Sequence, residues 1–397
     1  MSRDPVVDAL RAVAIGGVVL GHWLVTALVV GQDGTLATAS PLATMPALAP
    51  ASWVLQTLGL FFFAAGYAST RSSDRHGTAR RLGRLLRPTL ALLGVGATLL
   101  LSAIVLGVPD ATLSVALTLA VSPLWFLLPL LAFSVSAGPL RSAVRRWGPL
   151  RCAGTAAAVV AALDLAGGAL PGRLPAAVLA AWSVPWLLGV AHADGRLTGR
   201  RAGAALAVTG AVGIAAAIAA GYPVSAVGVP GAATSNLHPP SLFAVALAVA
   251  QVGFAVLLRP ALAGLLSRPA VAGAVTAVNR RAVRIYLWHQ PVLVGVTALL
   301  AHLALLPGLH TAPTGPGWLF ARLCWLPVLA AVLALVTGAR TAPDGPPGRA
   351  ARALPVYADR CLRADVRPRS GPRRPQEVIA VRDSDPPSRG RAHRQPR

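Results

Sequence analysis

The first long apolar run of the chain carries three ionisable side chains, Asp8, Arg11 and His22. Ionisable groups inside a bilayer are costly and default to functional candidates. Arg11 and His22 are eleven residues apart. At 3.6 residues per turn this is about three turns plus 20°, so both side chains fall on one helix face, ~16 Å apart along the axis. A guanidinium that can hold an anion and an imidazole that can exchange a proton near neutral pH could line one internal passage. Asp8, three residues before Arg11, shares that face and can pair with it, offsetting part of the desolvation of both. A plainer possibility stands beside this one: Arg11 snorkels to headgroups while His22 hydrogen-bonds between helices, which Gly16, Gly17 and Gly21 would let pack closely.

Two further stretches combine residue types of the same kind. Phe61-Phe62-Phe63-Ala64-Ala65-Gly66-Tyr67 leads into a basic loop with Arg80, Arg81, Arg84 and Arg87 ahead of Pro88. Arginines three apart lie side by side on a helix and form a fork suited to a phosphate, although any cytoplasmic loop of a membrane protein carries such bases. Arg284-Ile285-Tyr286-Leu287-Trp288-His289-Gln290-Pro291 sets a histidine beside two amphipathic aromatics near the start of another apolar run. An interfacial aromatic belt accounts for Tyr286 and Trp288 but poorly for His289. The three cysteines, Cys152, Cys324 and Cys361, are far apart and lack metal-binding spacing, so neither a disulfide nor a metal site is expected.

These residues must be positioned by helices in a bilayer. The 397 residues are 55% hydrophobic and only 12% charged, against about 25% charged in a soluble domain. All 36 basic residues are Arg against 13 acidic ones, and the net charge is +23. The arginines lie in short loops between apolar runs and in the tail, a distribution that fits anionic lipid headgroups and not nucleic acid. Spans are expected near residues 7–30, 52–70, 89–108, 113–136, 152–170, 174–191, 202–221, 241–265, 281–303 and 317–338. Alternate loops hold the arginines, Arg71 to Arg87, Arg141 to Arg151, Arg196 to Arg201 and Arg268 to Arg281, while the intervening loops hold almost none. By the positive-inside rule the fold class is an all-α integral membrane protein of about ten transmembrane helices with both termini cytoplasmic. Residues 1–339 form the transmembrane domain, and residues 340–397, rich in Arg and Pro, a disordered basic tail that touches anionic lipids. The first span is long enough to insert by itself, without a removable signal.

In this order the segments resemble the acyltransferase family 3 of bacterial membrane proteins, which includes O-antigen and peptidoglycan O-acetylases. Asp8, Leu10, Arg11 and His22 match the family's opening motif. Phe61 to Phe63 with Ala65-Gly66 is similar to its Phe-Phe-Phe motif, with Ala65 departing from Ser. Arg81 and Arg84 before Pro88 match its Arg-x-x-Arg, a spacing Arg84 and Arg87 also fit. Trp125-Phe126-Leu127 and Tyr286 to Pro291 match its Trp-Phe-Leu and Tyr-Leu-Trp-His-x-Pro segments. The loop Ser235 to Ser241 is similar to one of actinobacterial members. The glutamate many members carry after the Trp is absent, since the single Glu of the chain is Glu377 in the tail.

The resemblance implies transfer of an acyl group, commonly acetyl, from cytoplasmic acyl-CoA to a hydroxyl of a carbohydrate, glycolipid or small-molecule acceptor at the outer face of the plasma membrane. In that reading Arg81, Arg84 and Arg87 hold the CoA phosphates, and Arg11 guides the pantetheine or polarises the thioester. His22 then serves as general base or transient acyl carrier, the former favoured. Asp8 positions Arg11, while Trp125, Tyr286, Trp288 and His289 support the site. A transporter of a small anionic solute would also place Arg and His along a polar path. Its usual trace, broken helices at corresponding places in two halves, is not visible in the sequence.

Overall fold

The computed structural model describes residues 4–71, 77–167 and 172–338, with the side chains of residues 77–82 and of Arg84 outside that set. The expectations for the basic tail fall beyond it. The helices are α1 (Pro5–Val25), the short α2 (Pro41–Thr44) and α3 (Ala51–Leu55), α4 (Leu58–Thr70), α5 (Gly77–Val105), α6 (Asp110–Val121), α7 (Leu127–Val135) and α8 (Ala137–Trp147). They continue with α9 (Pro149–Leu165), α10 (Arg173–Ala193), α11 (Gly199–Ala219), α12 (Leu242–Leu257), α13 (Arg259–Leu266), α14 (Pro269–Ala301) and α15 (Pro316–Gly338). Among the described residues, eight helical stretches are long and apolar enough to cross a membrane. The count becomes ten if two bent pairs, α8 with α9 and α12 with α13, are each one crossing. The chain is thus a mostly helical, multi-pass membrane protein.

The bends have local causes. The turn of 115° between α8 and α9 occurs at Gly148, whose φ of 86° lies in the left-handed region that favours glycine. Pro149 then starts α9 at the one helical position where a missing N–H costs nothing. The angle of 57° between α12 and α13 falls just before Pro260, which likewise cannot continue the ladder of the helix ahead of it. The fourth stretch, Asp110–Val135, is interrupted by a tighter 3-10 turn at Ser122–Phe126, which has Pro123 in its second position and carries Trp125 and Phe126.

Two departures from the expected spans bear on the site. The first span was expected to reach residue 30, but α1 stops at Val25, and Ala27–Val30 pairs with Leu36–Ala39 as an antiparallel hairpin, β1 and β2. The all-α expectation is therefore incomplete: Val29, Val30 and their neighbours are as suited to a strand as to a helix. Tertiary partners decide the matter, since Val30 N–H donates to His310 O (3.0 Å) and Leu36 N–H to Thr112 Oγ1 (3.0 Å). At the hairpin tip the Asp33 carboxylate accepts from Thr35 Oγ1 (2.7 Å) and Thr35 N–H (3.1 Å), bonds that hold it below the usual carboxylate range. The ninth expected span corresponds to α14, which starts at Pro269, twelve residues before the expected 281.

Helix packing relies on small residues, as it must where lipid tails compete equally for apolar surface. A Cβ on Gly66 of α4 would lie 2.0 Å from Trp186 O of α10, and one on Gly189 of α10 would lie 2.0 Å from Phe63 O of α4. The same reciprocity joins α11 and α12 through Gly210 and Gly253. Gly17 admits Thr57, whose hydroxyl donates to Ala14 O (2.7 Å), and Gly21 faces Leu55; Gly16 faces open space and serves no such contact. Beyond the far ends of these helices, the loop after α11 is folded on itself. Buried Asn236 donates to Pro223 O (2.6 Å) and Ser225 O (2.9 Å) and accepts from Ser241 Oγ (2.8 Å). Beside it Tyr222 donates to Asp164 (2.9 Å), and burial together with this bond pushes the phenol up to about 12.

Candidate functional site

The site is built between α1 and α14, and its first feature is a pair of rungs. Arg11 Nε–H donates to Asn279 Oδ1 (2.7 Å), a second guanidinium N–H donates to Asn279 O (3.3 Å), and Asn279 Nδ2 donates to the Asp8 carbonyl (2.7 Å). Eleven residues later on both helices, the carboxamide of Gln290 meets His22 Nδ1 at 3.2 Å. Equal spacing on the two helices means that α1 and α14 run side by side in the same direction over three turns, holding Arg11 and His22 on one shared seam ~16 Å apart. The same-face reading of Arg11 and His22 agrees with this geometry. What the sequence left out is the other half of each rung, Asn279 and Gln290.

His289 adjoins the upper rung. Its ring lies 5.0 Å from that of His22, centroid to centroid, inclined by 49°. Because α14 begins early, His289 is twenty residues into its helix and level with His22 near the far end of α1, not near the start of a span. His289 Nδ1 is 2.6 Å from Tyr286 O. A carbonyl only accepts, so Nδ1 carries the proton and Nε2 keeps its lone pair. That nitrogen is buried and has no hydrogen-bond partner among the described residues, and the same holds for Oε1 of the next residue, Gln290. Buried polar atoms are nearly always satisfied, so two adjacent exceptions mark a place where a ligand group or water is to be met.

The framework that fixes these rings runs through Trp23. Its indole N–H donates to His289 O (2.9 Å) in the turn from which Pro291 withholds an amide. Arg322 of α15, fully buried, donates to Trp23 O (2.6 Å), Thr26 O (2.6 Å) and Gly308 O (3.0 Å). The first two are carbonyls at the C-terminal end of α1, so Arg322 satisfies the orphan acceptors and opposes the negative end of the dipole. It thereby caps the helix that carries His22. Nothing in the spacing of Arg322 within an apolar run distinguished it from a snorkelling arginine.

Aromatic side chains wall the other flank. The Phe126 ring touches Phe61 (4.7 Å), Phe62 (5.1 Å) and Tyr286 (4.9 Å), and Tyr286 donates its hydroxyl to Pro123 O (2.8 Å). Phe62 also stacks on Trp182 at 5.4 Å. Three motifs distant in sequence thus converge on one ring. Phe126 is their meeting point because the 3-10 turn at Pro123 aims it inward while leaving Trp125 about one-third exposed. The arrangement offers two imidazoles and a guanidinium along a seam otherwise lined by apolar rings, a setting in which a proton can be moved away from bulk water.

The family model described as an acyltransferase domain matches residues 4–338, the whole membrane-embedded part of the described chain. The chain belongs to acyltransferase family 3. It is a membrane acyltransferase, and no curated protein and no solved structure matches it.

In this acyltransferase, His22, His289, Tyr286 and the Arg11 rung are brought to one seam, and Trp125 joins it through Phe126. Trp288 is half-buried and packs among the hydrophobic side chains on either side of the seam. Asp8 contributes its carbonyl, through Asn279, to the lower rung. Arg87 is exposed on α5, while the side chains of Arg81 and Arg84 lie outside the described residues. Among the described residues no group of three or more His, Cys, Asp or Glu is arranged to hold a metal ion. A second polar cluster at the start of α1 is held together by protein partners. Asp4 pairs with Arg259 at 2.6 Å and accepts from the Tyr67 hydroxyl at 3.3 Å. His192 is set between Leu197 O and Arg259. It ties α1, α4, α10 and α13 together.

Proposed function

We propose that this acyltransferase moves an acyl group, acetyl in the simplest case, from acyl-CoA to a hydroxyl of a carbohydrate, glycolipid or small-molecule acceptor, with His22 as general base. The observation that carries the reading is the seam itself: Arg11 three helical turns from His22, and beside His22 a second imidazole whose Nε2 lone pair is buried and unmet. His22 takes the proton of the acceptor hydroxyl as its oxygen bonds to the acyl carbonyl carbon. The tetrahedral centre then expels the thiolate of CoA by breaking the C–S bond, and the imidazolium returns the proton to that sulfur. The thioester is already activated, so the protein supplies orientation, a base and exclusion of water. His289 Nε2 accepts a hydrogen bond from the acceptor or from a water beside it, and the Phe61, Phe126 and Tyr286 wall keeps the path dry.

Arg11 lies on the side of the seam from which the basic loops emerge, which suits entry of the donor from the cytoplasm with both termini on that side. The phosphates of CoA rest on Arg81, Arg84 and Arg87, the thioester reaches past Arg11, and the acceptor arrives from the opposite face of the plasma membrane. Purified protein in nanodiscs, given acetyl-CoA with a radiolabelled acetyl group and a glycolipid extract of the native cell, tests this. Label should move to an extract component with the wild type and not with His22→Ala of unchanged thermal stability. Transfer at the wild-type rate by His22→Ala refutes the mechanism.

A further inference from the structure

His22 can act as a base only if one ring nitrogen keeps its lone pair, and the group that decides which nitrogen does so is the one bonded to the other. Resting on the general-base reading, we infer that Gln290 is the positioning residue that sets the tautomer of His22: its carboxamide oxygen accepts from His22 Nδ1–H and leaves Nε2 unprotonated. As the structure places it, Gln290 Nε2 is 3.2 Å from Nδ1 and Oε1 is buried without a partner among the described residues, and the assignment turns this amide over, since the network and not the shape of a carboxamide decides which end is oxygen. A half-turn about its last side-chain bond exchanges oxygen and nitrogen without moving anything else.

The two orientations have opposite chemical consequences. With the NH2 group toward His22, Nδ1 must accept, the ring proton sits on Nε2, and the imidazole has no lone pair to take a proton from a hydroxyl. The carboxamide oxygen is then left buried and unmet. With the oxygen toward His22, Nδ1–H donates, Nε2 is free, and the leftover end of Gln290 is an N–H donor. The incoming acyl group brings the carbonyl oxygen that can meet that donor, whereas it brings no hydrogen for a stranded carboxamide oxygen.

The neighbours leave this task to Gln290. His289, the titratable group facing His22 from α14, has its own Nδ1–H committed to Tyr286 O and cannot orient another ring through it. Arg322 of α15 is engaged by the carbonyls of Trp23, Thr26 and Gly308, and Arg11 of α1 is three turns away on the lower rung. Gln290 is therefore a neutral counterpart of the carboxylate that orients histidine in hydrolytic triads.

The first measurement needs no acceptor. Protein labelled with 15N-histidine is placed in nanodiscs, the His22 signals are assigned by their loss in His22→Ala, and the 15N shifts read which ring nitrogen bears the proton. Wild type should show Nδ1–H, and Gln290→Leu should lose that preference. In the acetyl-transfer assay kcat of Gln290→Leu should fall about 100-fold, with KM for acetyl-CoA changed less than ~2-fold, because uniform binding is untouched. Gln290→Glu keeps volume and acceptor, so it should retain the Nδ1–H form and turnover. Its carboxylate favours the imidazolium, so the pH at which activity rises should move upward.

A wild-type His22 in the Nε2–H form overturns the assignment, as does wild-type kcat in Gln290→Leu. So does an inactive Gln290→Glu of native thermal stability. If His22→Ala transfers acetyl normally the general-base reading itself fails, an outcome the tautomer measurement keeps separate.

Discussion

Replacing Gly66 or Gly189 by alanine probes the closest helix contact of the bundle. Each added Cβ would sit 2.0 Å from a main-chain oxygen of the other helix, Trp186 O or Phe63 O, against 3.4 Å for an ordinary contact. Neither obstacle is a flexible side chain, so α4 and α10 must part by roughly 1.4 Å or tilt. Overpacking of this kind costs about 1–3 kcal/mol, and the upper part of that range is expected because backbone must move. The reciprocity of the pair makes a sharper demand. One separation relieves both clashes, so Gly66→Ala with Gly189→Ala should cost about as much as either alone, giving a coupling of ~2 kcal/mol between residues in contact. Phe61 and Phe62 ride on α4 beside Phe126, so a shift near 1 Å also misplaces the wall of the seam, and turnover should drop by up to ~100-fold. Gly16→Ala, which faces open space, is the control and should be neutral. Apparent melting in detergent and acetyl transfer in nanodiscs provide the readouts. Strict additivity of the two substitutions, or single variants that melt with the wild type, would refute the packing account.

Arg322→Met strands the carbonyls of Trp23, Thr26 and Gly308 in a buried place. At ~1–3 kcal/mol per orphaned acceptor, partly offset by no longer burying a charge, a net loss of about 2–4 kcal/mol is expected. It should appear as a lowered melting temperature, together with reduced turnover through the end of α1. Asn279→Leu removes the acceptor of Arg11 Nε–H and the donor to Asp8 O, so acetyl-CoA use should weaken about tenfold, a typical value for one charge-assisted bond. Asn279→Asp keeps the acceptor for Arg11 but sets a second acceptor against Asp8 O, so it should recover only part of the loss in the same assay.

The sequence by itself determined a good deal. Apolar runs of span length fixed the membrane-embedded character and the number of crossings to within the two bent pairs, because burying unpaired backbone in lipid leaves little but helices. The eleven-residue interval put Arg11 and His22 on one face, since helical periodicity is a local property, and the order of short motifs identified the family. The tertiary structure decided what lies opposite. Asn279 and Gln290 read as unremarkable polar residues of a long helix until α14 is laid parallel to α1 in one particular register. Arg322 reads as a snorkelling arginine until α15 turns it onto the carbonyls of Trp23 and Thr26. The stop of α1 at Val25 and the hairpin after it likewise depend on partners about 80 and 280 residues away, Thr112 and His310, which no local propensity encodes. Periodicity tells which side chains of one helix share a face; only packing, fixed here by Gly17, Gly66 and Gly189 letting backbones approach, tells which face of which helix they meet.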